Sequence, residues 1–416
     1  MPQTIEVVVR VTISDEDFDV NRLERRVREA RDPVGRELLV RALEALDEAA
    51  LENHPGVARQ RRVERHLDTT LGHVAFWRWR VKAGGKTSCL LDRLLGLERH
   101  SRASPAVKKR AAELASRMTY REASLVLSEE LDASVSAQSV HSWVQGMGKE
   151  VEERELAPLP SPAVGAELVV VEWDDTMVRS QEVGERQFAI KLGIGYSRKE
   201  RVGGKRWKLA DKVVYGGVEE PEPFAERFYT RMEGSFQVEQ ARHVVVKGDG
   251  AEWICQAAAQ VFPGHVFQLD CWHLLDRLER LAGHLPRVWK RLRGWVYEGR
   301  VESLVRSLRL IVGDDARSEQ ARQELLGYVR RHAEAITAVD RLRPQGSPEA
   351  RPLLTHGTGA MEKNIETLIG RRFKRCGMRW TRRGAHRLLK LRLWIARCGA
   401  SWFEALHAHP VQLTNA

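Results

Sequence analysis

Three acidic residues, Asp174, Asp249 and Glu362, could together hold divalent metal ions. Asp174 follows an apolar run at 168–171, and Asp249 follows a second one at 243–246 and stands between two glycines, while Glu362 heads a basic segment. A carboxylate at the end of an apolar strand is held rigidly, and carboxylate oxygens are ligands that Mg²⁺ prefers. Two divalent ions bound in this way activate an oxygen nucleophile and stabilise a leaving oxygen, which is the chemistry of phosphodiester cleavage and strand transfer.

The same residues also have ordinary structural interpretations. Asp249 in a Gly-Asp-Gly turn can cap a helix, and Glu362 can simply favour a helix N-terminus. Asp174 is followed by Asp175, and because side chains alternate along a strand, only one of the two should point at a metal. We prefer Asp174. The three acids are far apart in the chain, so a joint site requires the tertiary fold to assemble it.

Asp270 and His273 form a further candidate pair. Asp270 follows a short apolar strand at 266–269, and a helix with a leucine stripe follows. Residues three apart in the first helical turn lie on one side, so the two side chains suit a metal pair. A helix cap with a supporting histidine explains them equally well.

The pattern of elements predicts an α/β fold for the middle of the chain. Strands are expected around 168–171, 187–196, 212–217, 243–246 and 266–269, with a helix around 223–232. Charged helical segments follow from about 286 to 340, and prolines at 158, 160 and 162 indicate a linker.

Basic and aromatic residues in the first 154 positions suggest DNA binding. A segment containing Arg61 and Arg62 precedes a hairpin in which Trp77 and Trp79 alternate with arginines. This alternation suits contact with phosphates and bases, and it equally suits a half-buried edge strand with charged outer positions.

A helix-turn-helix is predicted between about 119 and 144. Its first helix would begin with a capping box formed by Thr119 and Glu122. The second helix of such a motif enters the major groove. The residues expected to face DNA are Gln138, Ser139, His141 and Ser142. Two packed helices without any DNA contact are the alternative.

A third basic feature lies near the C-terminus. Residues 371–397 contain eleven basic side chains and no acidic one, which is typical of a phosphate-binding face. The side chains expected to contact DNA here are Arg371, Arg372, Lys374, Arg375, Arg379, Trp380, Arg382 and Arg383.

The overall composition favours a nucleic-acid-binding protein. Lys plus Arg total 68 against 57 for Asp plus Glu, a formal net charge of +11, although charge also serves general solubility. The five cysteines form no C-x-x-C pair, so we expect reduced thiols without a disulfide framework or structural zinc site. No signal peptide or long apolar run is visible, so we expect a cytoplasmic, nucleoid-associated protein with no membrane partner.

Composition and element pattern predict seven regions. They are a helical region at 1–55, a DNA-binding region at 56–154, a linker at 155–165, the first part of an α/β core at 166–285, a helical insertion at 286–350, the second part of the core at 351–400 and a tail at 401–416.

Four motifs carry a resemblance to a known family. They are Glu-Trp-Asp-Asp-Thr at 172–176, Gly-Asp-Gly-Ala-Glu-Trp-Ile at 248–254, Asp-Cys-Trp-His at 270–273, and a block from Gly-Ala-Met-Glu at 359–362 through Gly-Met-Arg-Trp at 377–380 to Gly-Ala at 384–385. In this order they resemble bacterial insertion-sequence transposases of the DDE type, nearest to the ISLre group and related to Mutator-like elements. The resemblance spans about residues 57–400.

The resemblance implies an RNase H-like core, a mixed sheet flanked by helices, with a helical insertion before the glutamate helix. It implies that Asp174, Asp249 and Glu362 bind two Mg²⁺ or Mn²⁺ ions and that Asp270 and His273 support the site. Asp175 stands where the family usually has glycine, and we assign it a supporting role. The implied partners are transposon ends and target DNA, bound by a homodimer or higher oligomer.

We therefore expect a DNA transposase that cleaves and transfers strands at the ends of an insertion sequence. Two alternatives stay open: a catalytically silent DNA-binding regulator derived from a transposase, and an RNase H-like structure-selective nuclease. Metal-dependent cleavage at specific DNA ends would distinguish the first from both others.

Overall fold

The computed structural model describes residues 4–9, 19–83, 86–155, 165–203, 206–311, 315–344, 346–358 and 360–407. The chain divides into two compact units, 1–147 and 148–416. The predicted linker lies, from 156 to 164, outside the described residues, as does the predicted tail from 408 onwards.

The first unit combines a three-stranded antiparallel sheet with helices. Its strands are β1 (Ala58–Thr69), β2 (Gly72–Ala83) and β3 (Lys86–Cys89), in the order β1-β2-β3. Its helices are α1 (Val20–Glu52), α2 (Leu90–Leu94), α3 (Pro105–Ala115), α4 (Tyr120–Leu131) and the beginning of α5 (Ala137–Glu155).

The β1–β2 hairpin confirms the predicted turn but corrects the predicted arrangement of charges. β2 is the central strand, and Arg78 points inward, where its guanidinium binds the Asp92 carboxylate at 2.8 Å. Trp77 is exposed instead. Arg61 and Arg62 are exposed on β1, and the Arg62 guanidinium lies 5.9 Å from the centre of the half-buried Trp79 ring. The outer face of this hairpin therefore carries both arginine and tryptophan.

Helices α4 and α5 are joined by five residues, and α4 begins as predicted. Thr119 and Glu122 form a reciprocal capping box, with the Thr119 hydroxyl accepting from the Glu122 N–H at 3.1 Å. Asp132 ends α4 in the left-handed conformation, with φ of 48°. The buried Val140 and Val144 face the core.

The predicted DNA-facing residues of α5 differ in exposure. Gln138 and Ser142 are exposed, and Ser139 is half-buried with its hydroxyl 2.9 Å from that of Ser136. His141 is also half-buried, with its ring edge-on to Tyr120 at 5.1 Å, and burial lowers its pKa. His141 therefore also packs α5 against α4.

The second unit is built on a five-stranded mixed sheet with the order β10-β9-β4-β5-β8. β4 (Leu168–Arg179) runs parallel to β9 (His243–Gly248), and β9 runs parallel to β10 (Val266–Leu269). β5 (Gln187–Tyr196) is antiparallel to β4 and to β8 (Val213–Gly217). All five predicted strands and the predicted α/β class with a mixed sheet are confirmed.

A two-stranded hairpin between β5 and β8 was not predicted. It consists of β6 (Lys199–Gly203) and β7 (Arg206–Leu209). Trp207 and Val202 on this hairpin are exposed. Charged residues make up most of the two strands taken together, so the sequence of this hairpin lacks the apolar pattern that predicts a strand.

Helices cover the sheet and extend beyond it. They are α6 (Pro221–Phe236), α7 (Glu252–Val261), α8 (Cys271–Ala282), α9 (Pro286–Tyr297), α10 (Val301–Leu310), α11 (Ala316–Arg331), α12 (Met361–Asn364), α13 (Arg382–Cys398) and α14 (Trp402–His407). α12 continues as a wider, π-type helix over Ile365–Lys374. No helix among the described residues combines the length and apolar character needed to cross a membrane.

Two apolar clusters build the second unit. One packs the buried face of β4 against α6 and α7, with Trp173 edge-on to Phe228 at 5.5 Å and stacked on Trp253 at 6.2 Å. The other joins α8 to α9, α10 and α11 around residues such as Leu278 and Leu308. The charged helical stretch predicted from about residue 286 is thus a helical layer with its own core.

Replacing each of two glycines in α5 with alanine should change the stability of the protein in opposite directions. A Cβ at Gly148 would clash with the backbone carbonyl of Arg387 on α13, whereas a Cβ at Gly146 meets nothing within 4 Å. Gly148→Ala should therefore destabilise the protein by about 1–3 kcal/mol through a forced backbone shift. Gly146→Ala should stabilise it by roughly 0.5–1 kcal/mol, because alanine favours a helix over glycine. Thermal unfolding midpoints that moved in the same direction would contradict this.

His386 on α13 predicts a pH dependence of stability. Its unprotonated Nδ1 accepts a hydrogen bond from the Val218 N–H at 3.1 Å. Burial, and then the positive charge of Lys390, lower the pKa of His386 to about 4, against the nearby negative charges of Glu152 and Glu155. Because the unfolded value is about 6.5, the unfolded chain binds the proton first, and stability is lost as pH falls from about 6.5 towards 4.

The loss should reach roughly 2–3 kcal/mol at the acid end of this window. Urea unfolding at neutral and at acid pH would measure it. His386→Asn keeps an acceptor for the Val218 N–H without the titrating ring, so its stability should depend less on pH over this window. An identical pH dependence in both proteins would refute the assignment.

Candidate active site

Three aspartates lie just beyond the point where the parallel pairing of β4, β9 and β10 ends. Asp174 is on β4, and Asp249 and Asp270 follow the last residues of β9 and β10. The strand register aligns the residues two positions before each aspartate, so the three form a row across one edge of the sheet. We call it the acidic row. Ligands of parallel sheets bind at this edge, beyond the carboxyl ends of the strands.

The pKa of Asp174 depends on the charges of neighbouring side chains. Burial, together with the charges of Asp249 and Asp175, raises the pKa of Asp174 to about 7, although the charge of His273 opposes this rise. Like charges held together in a partly dry site favour a cation. Asp174 and Asp249 therefore belong to one electrostatic site.

Asp175 faces the other side of the sheet. The indole of Trp253 on α7 donates a hydrogen bond to it, and Lys191 on β5 lies near. Burial and the charge of Asp249 raise the pKa of Asp175, while Lys191 lowers it. Because the Asp175 carboxylate already accepts a hydrogen bond from Trp253, Asp175 supports the side of the sheet that packs against α7. Asp174 points to the opposite side, with the other residues of the acidic row.

Asp249 sits in a sharp turn. Gly250 has φ of 83°, and a Cβ there would lie 2.8 Å from the His332 ring. One carboxylate oxygen of Asp249 accepts the Ala251 N–H at 2.8 Å, and its carbonyl accepts the Tyr328 hydroxyl. The predicted turn is thus present just before α7, and the Asp249 side chain retains its second oxygen for other contacts.

Asp270 is buried and fully engaged. Its carboxylate accepts the Trp272 N–H at 3.1 Å, the His273 Nδ1–H at 2.7 Å and the Thr358 hydroxyl at 3.0 Å. Burial alone would raise the pKa of Asp270, but these hydrogen bonds and the His273 charge outweigh burial and lower it. The structure therefore favours a helix cap with a supporting histidine over a metal pair.

His273 links Asp270 to the other acids. The hydrogen bond to Asp270 raises the pKa of His273 in spite of burial, and the charges of Asp270, Asp174 and Asp249 raise it further. The exposed ring of Trp272 stands edge-on to it at 5.0 Å. An imidazolium held in this way partly balances the negative charge of the acidic row.

Glu362 is exposed in the first turn of α12. Within the described residues, no group of three or more His, Cys, Asp or Glu side chains is arranged to hold a metal ion. The electrostatic contacts and the hydrogen bond described above bring Asp174, Asp249, Asp270 and His273 together. The Met361 N–H, however, is bound by Glu172 on β4, so Glu362 enters on the same face as Asp174.

Two of the residues predicted to contact DNA near the C-terminus are buried. Arg372 and Trp380 are 3% and 4% exposed, the guanidinium lying 4.9 Å from the centre of the indole ring. The Trp380 indole N–H donates to the Phe373 carbonyl at 3.1 Å. This stacked pair packs the end of the π-type helix, which explains its burial.

The remaining basic residues of this segment differ in availability. Arg371 and Arg375 form ion pairs with Glu366, Arg382 pairs with Glu185, and the Lys374 ammonium binds the Thr176 hydroxyl. Arg379 and Arg383 are exposed. A count of basic residues therefore overstated the phosphate-binding face.

Three residues that the sequence analysis did not single out hold the site from behind. Glu172, Lys247 and Gln268 are fully buried, and each precedes an aspartate of the acidic row by two positions. That repeated spacing was the available signal. A polar residue in an otherwise apolar strand costs free energy unless a partner satisfies it.

Comparison with known proteins gives a family without an assigned activity. The model of an uncharacterised protein family, UPF0236, matches residues 13–405. A UPF0236 protein in the vanSb 3′ region of Streptococcus gallolyticus is 25% identical over 366 residues, 85% of this chain and 78% of the relative. A relative from Caldanaerobacter subterraneus subsp. tengcongensis, whose name joins eleven locus designations, is 23% identical over 92% of this chain and 79% of its own length. The chain belongs to the uncharacterised protein family UPF0236.

Proposed function

We propose that this protein is a DDE-type DNA transposase that cleaves DNA at the ends of an insertion sequence and transfers the cut strands. The observation that carries the proposal is the acidic row, in which Asp174 and Asp249 lie just beyond the parallel pairing of β4 and β9, beside the Asp270–His273 pair. Carboxylates grouped on rigid strands are suited to divalent cations, which phosphodiester chemistry requires.

The sheet supports an RNase H-like core. Its first three strands along the main sheet, β4, β5 and β8, are antiparallel neighbours, and β9 and β10 extend it parallel to β4 on the other side. Along the chain, the helices α9, α10 and α11 lie between the last strand of this sheet and α12, the helix that carries Glu362, which supports the expected insertion.

The residues present fit a divalent metal in part. Asp174 and Asp249 offer carboxylate oxygens. The raised pKa of Asp174 reflects burial first and then repulsion from Asp249 and Asp175, and a bound cation would favour the charged carboxylate against both. With Glu362 these residues would hold two Mg²⁺ or Mn²⁺ ions, which supply an activated water and stabilise the leaving oxygen. Asp270 orients His273, and His273 lends positive charge to the row.

Features outside the site support DNA as the partner. The exposed Gln138 and Ser142 on α5 suit a helix-turn-helix in the first unit, and the exposed Arg379 and Arg383 suit phosphate contacts in the second. A dimer or higher oligomer follows from the need to hold two DNA ends. The Caldanaerobacter relative adds support, because one name shared by eleven loci is what a gene carried by a multiplying element would leave.

A plasmid carrying the gene's own flanking sequence tests the proposal. Purified protein should cut it at discrete flanking positions with Mg²⁺ or Mn²⁺, and Asp249→Asn and Glu362→Gln should each abolish the cuts while still binding DNA. Tight binding without cleavage by all three proteins would instead establish a DNA-binding regulator. Cleavage that follows DNA structure and ignores the end sequence would establish a structure-selective nuclease.

A further inference from the structure

A row of three buried polar residues lies directly behind the acidic row. Glu172 on β4 pairs in register with Lys247 on β9, and Lys247 pairs with Gln268 on β10. Each of these side chains is 0% exposed. Paired residues on neighbouring strands project from the same face, so the three side chains form one line across the sheet, here called the polar row.

Every member of the polar row binds the chain that returns from the helical layer to the sheet. Gln268 donates to the Ile336 carbonyl at 2.7 Å and accepts the Val339 N–H at 3.1 Å. The Lys247 ammonium donates to the Leu353 carbonyl at 3.2 Å. A buried polar group without a hydrogen-bond partner raises the free energy of the folded state. These contacts therefore hold the returning chain firmly against the sheet.

The last member of the row reaches the helix that carries Glu362. Glu172 accepts the Met361 N–H at 2.9 Å and the Ala360 N–H at 3.3 Å, and the Tyr196 hydroxyl donates to its other oxygen at 2.7 Å. Backbone N–H groups at a helix start have no partner within the helix, so a carboxylate there fixes the helix end.

The contacts follow the same order in the chain and across the sheet. Segment 336–339 is held at β10, segment 353–357 at β9 and segment 360–361 at β4. The returning chain therefore crosses one face of the sheet and arrives at β4 one residue before Glu362. Glu172 also stands two residues before Asp174 on the same face of β4.

We propose that the polar row, and Glu172 above all, positions Glu362 relative to Asp174 and thereby sets the affinity of the site for divalent cations. Glu172 is a positioning residue, because it binds the backbone N–H of Met361 and does not itself bind the cation. The proposal rests on the proposed function, in which Glu362 is the third metal ligand.

Mn²⁺ binding to the full chain, followed by electron paramagnetic resonance, tests this without DNA cleavage. Glu362→Gln and Glu172→Met should each weaken Mn²⁺ binding by about 10–100-fold, the size of effect known for residues that orient metal ligands. The double variant should bind Mn²⁺ no more weakly than Glu362→Gln alone, because Glu172 acts only through Glu362. A purely structural Glu172 would instead give losses that add.

Two further variants keep the test decisive. Glu172→Gln retains an oxygen that accepts the Met361 N–H, so it should restore most of the Mn²⁺ affinity that Glu172→Met loses. If Glu172→Met does not fold, Glu172→Met/Lys247→Met removes both buried charges together, a change that folded proteins tolerate better than removal of one. This double variant should show the same weakened Mn²⁺ binding.

Additive losses, or wild-type Mn²⁺ affinity in folded Glu172→Met, would overturn the positioning role. The failure of the two proposals looks different. A protein whose Mn²⁺ affinity depends on Glu172 through Glu362, yet which leaves DNA intact, retains the positioning role and loses the transposase activity. A protein that cuts DNA and needs Glu362, but whose Mn²⁺ affinity is unchanged by Glu172→Met, retains the transposase activity and loses the positioning role.

Discussion

Replacing Asp174 with asparagine is expected to slow Mg²⁺-dependent DNA cleavage by about 10³-fold, whereas Asp175→Asn is expected to slow it less than about tenfold. Asp174 faces the acidic row and feels the charges of Asp249 and His273, while the Asp175 carboxylate accepts a hydrogen bond from Trp253 on the other side of the sheet. A metal ligand supplies several kcal/mol of transition-state stabilisation, and about 4 kcal/mol corresponds to this factor.

Single-turnover cleavage of the gene's own flanking DNA would measure both rates. The two variants are matched, since the residues are adjacent and each change replaces one carboxylate by an amide of the same shape. DNA affinity measured in the absence of metal serves as the control and should be similar in both. Faster cleavage by Asp174→Asn than by Asp175→Asn would assign the ligand to Asp175 instead.

Lys390→Met is expected to lower the free energy of unfolding by about 3 kcal/mol, at the low end of the cost of breaking a buried ion pair. The Lys390 ammonium is buried, lies 2.9 Å from the Glu155 carboxylate and stands 3.6 Å from the centre of the Tyr215 ring. Its removal leaves a buried carboxylate with less compensation. Arg231, 3.2 Å from Glu155, remains and limits the loss.

An exposed ion pair on α5 provides the control. Lys149 lies 3.3 Å from Glu153 one helical turn away, and both side chains are well exposed. Lys149→Met should change stability by no more than about 0.5 kcal/mol, as is usual for such pairs. Urea denaturation of both variants measures the difference. Equal effects would mean that Lys390 contributes through packing of its alkyl chain and little through its charge.

The sequence predicted the strands and the acids because both leave local patterns. Apolar runs at 168–171 and 243–246 identified β4 and β9, and each run leads within a few residues to an aspartate of the acidic row. Strand alternation also predicted that Asp174 and Asp175 face opposite sides. Local spacing was sufficient here, since a strand fixes the direction of its own side chains.

The polar row has a sequence pattern that is visible in retrospect. Three valines, a charged residue, one further residue and an aspartate occur at 169–174 and again at 244–249. Several partners of Glu172 and Lys247, however, are backbone groups more than a hundred positions later in the chain. Backbone groups are the same in every residue, so no pattern of residue types could have indicated them.

Burial of basic residues was unpredictable for a different reason. Arg372 and Lys390 contribute to the same basic count as the exposed Arg379 and Arg383. Only the tertiary fold shows that Arg372 stacks on Trp380 and that Lys390 meets Glu155. The position of Glu362 in the first turn of α12 likewise depends on how that helix begins at the Glu172 contact, which no spacing of acids specifies.

The attachment of the returning chain to the polar row has a consequence for how this protein tolerates change. Helices α9 to α11 pack with α8 in an apolar cluster of their own, and the path to Glu362 is fixed afterwards by contacts to the sheet. Insertions or deletions within that helical layer should therefore leave the distance between Asp174 and Glu362 unaltered. Relatives can therefore differ in the length and surface of this helical layer while the distance in space between these two acidic side chains stays the same.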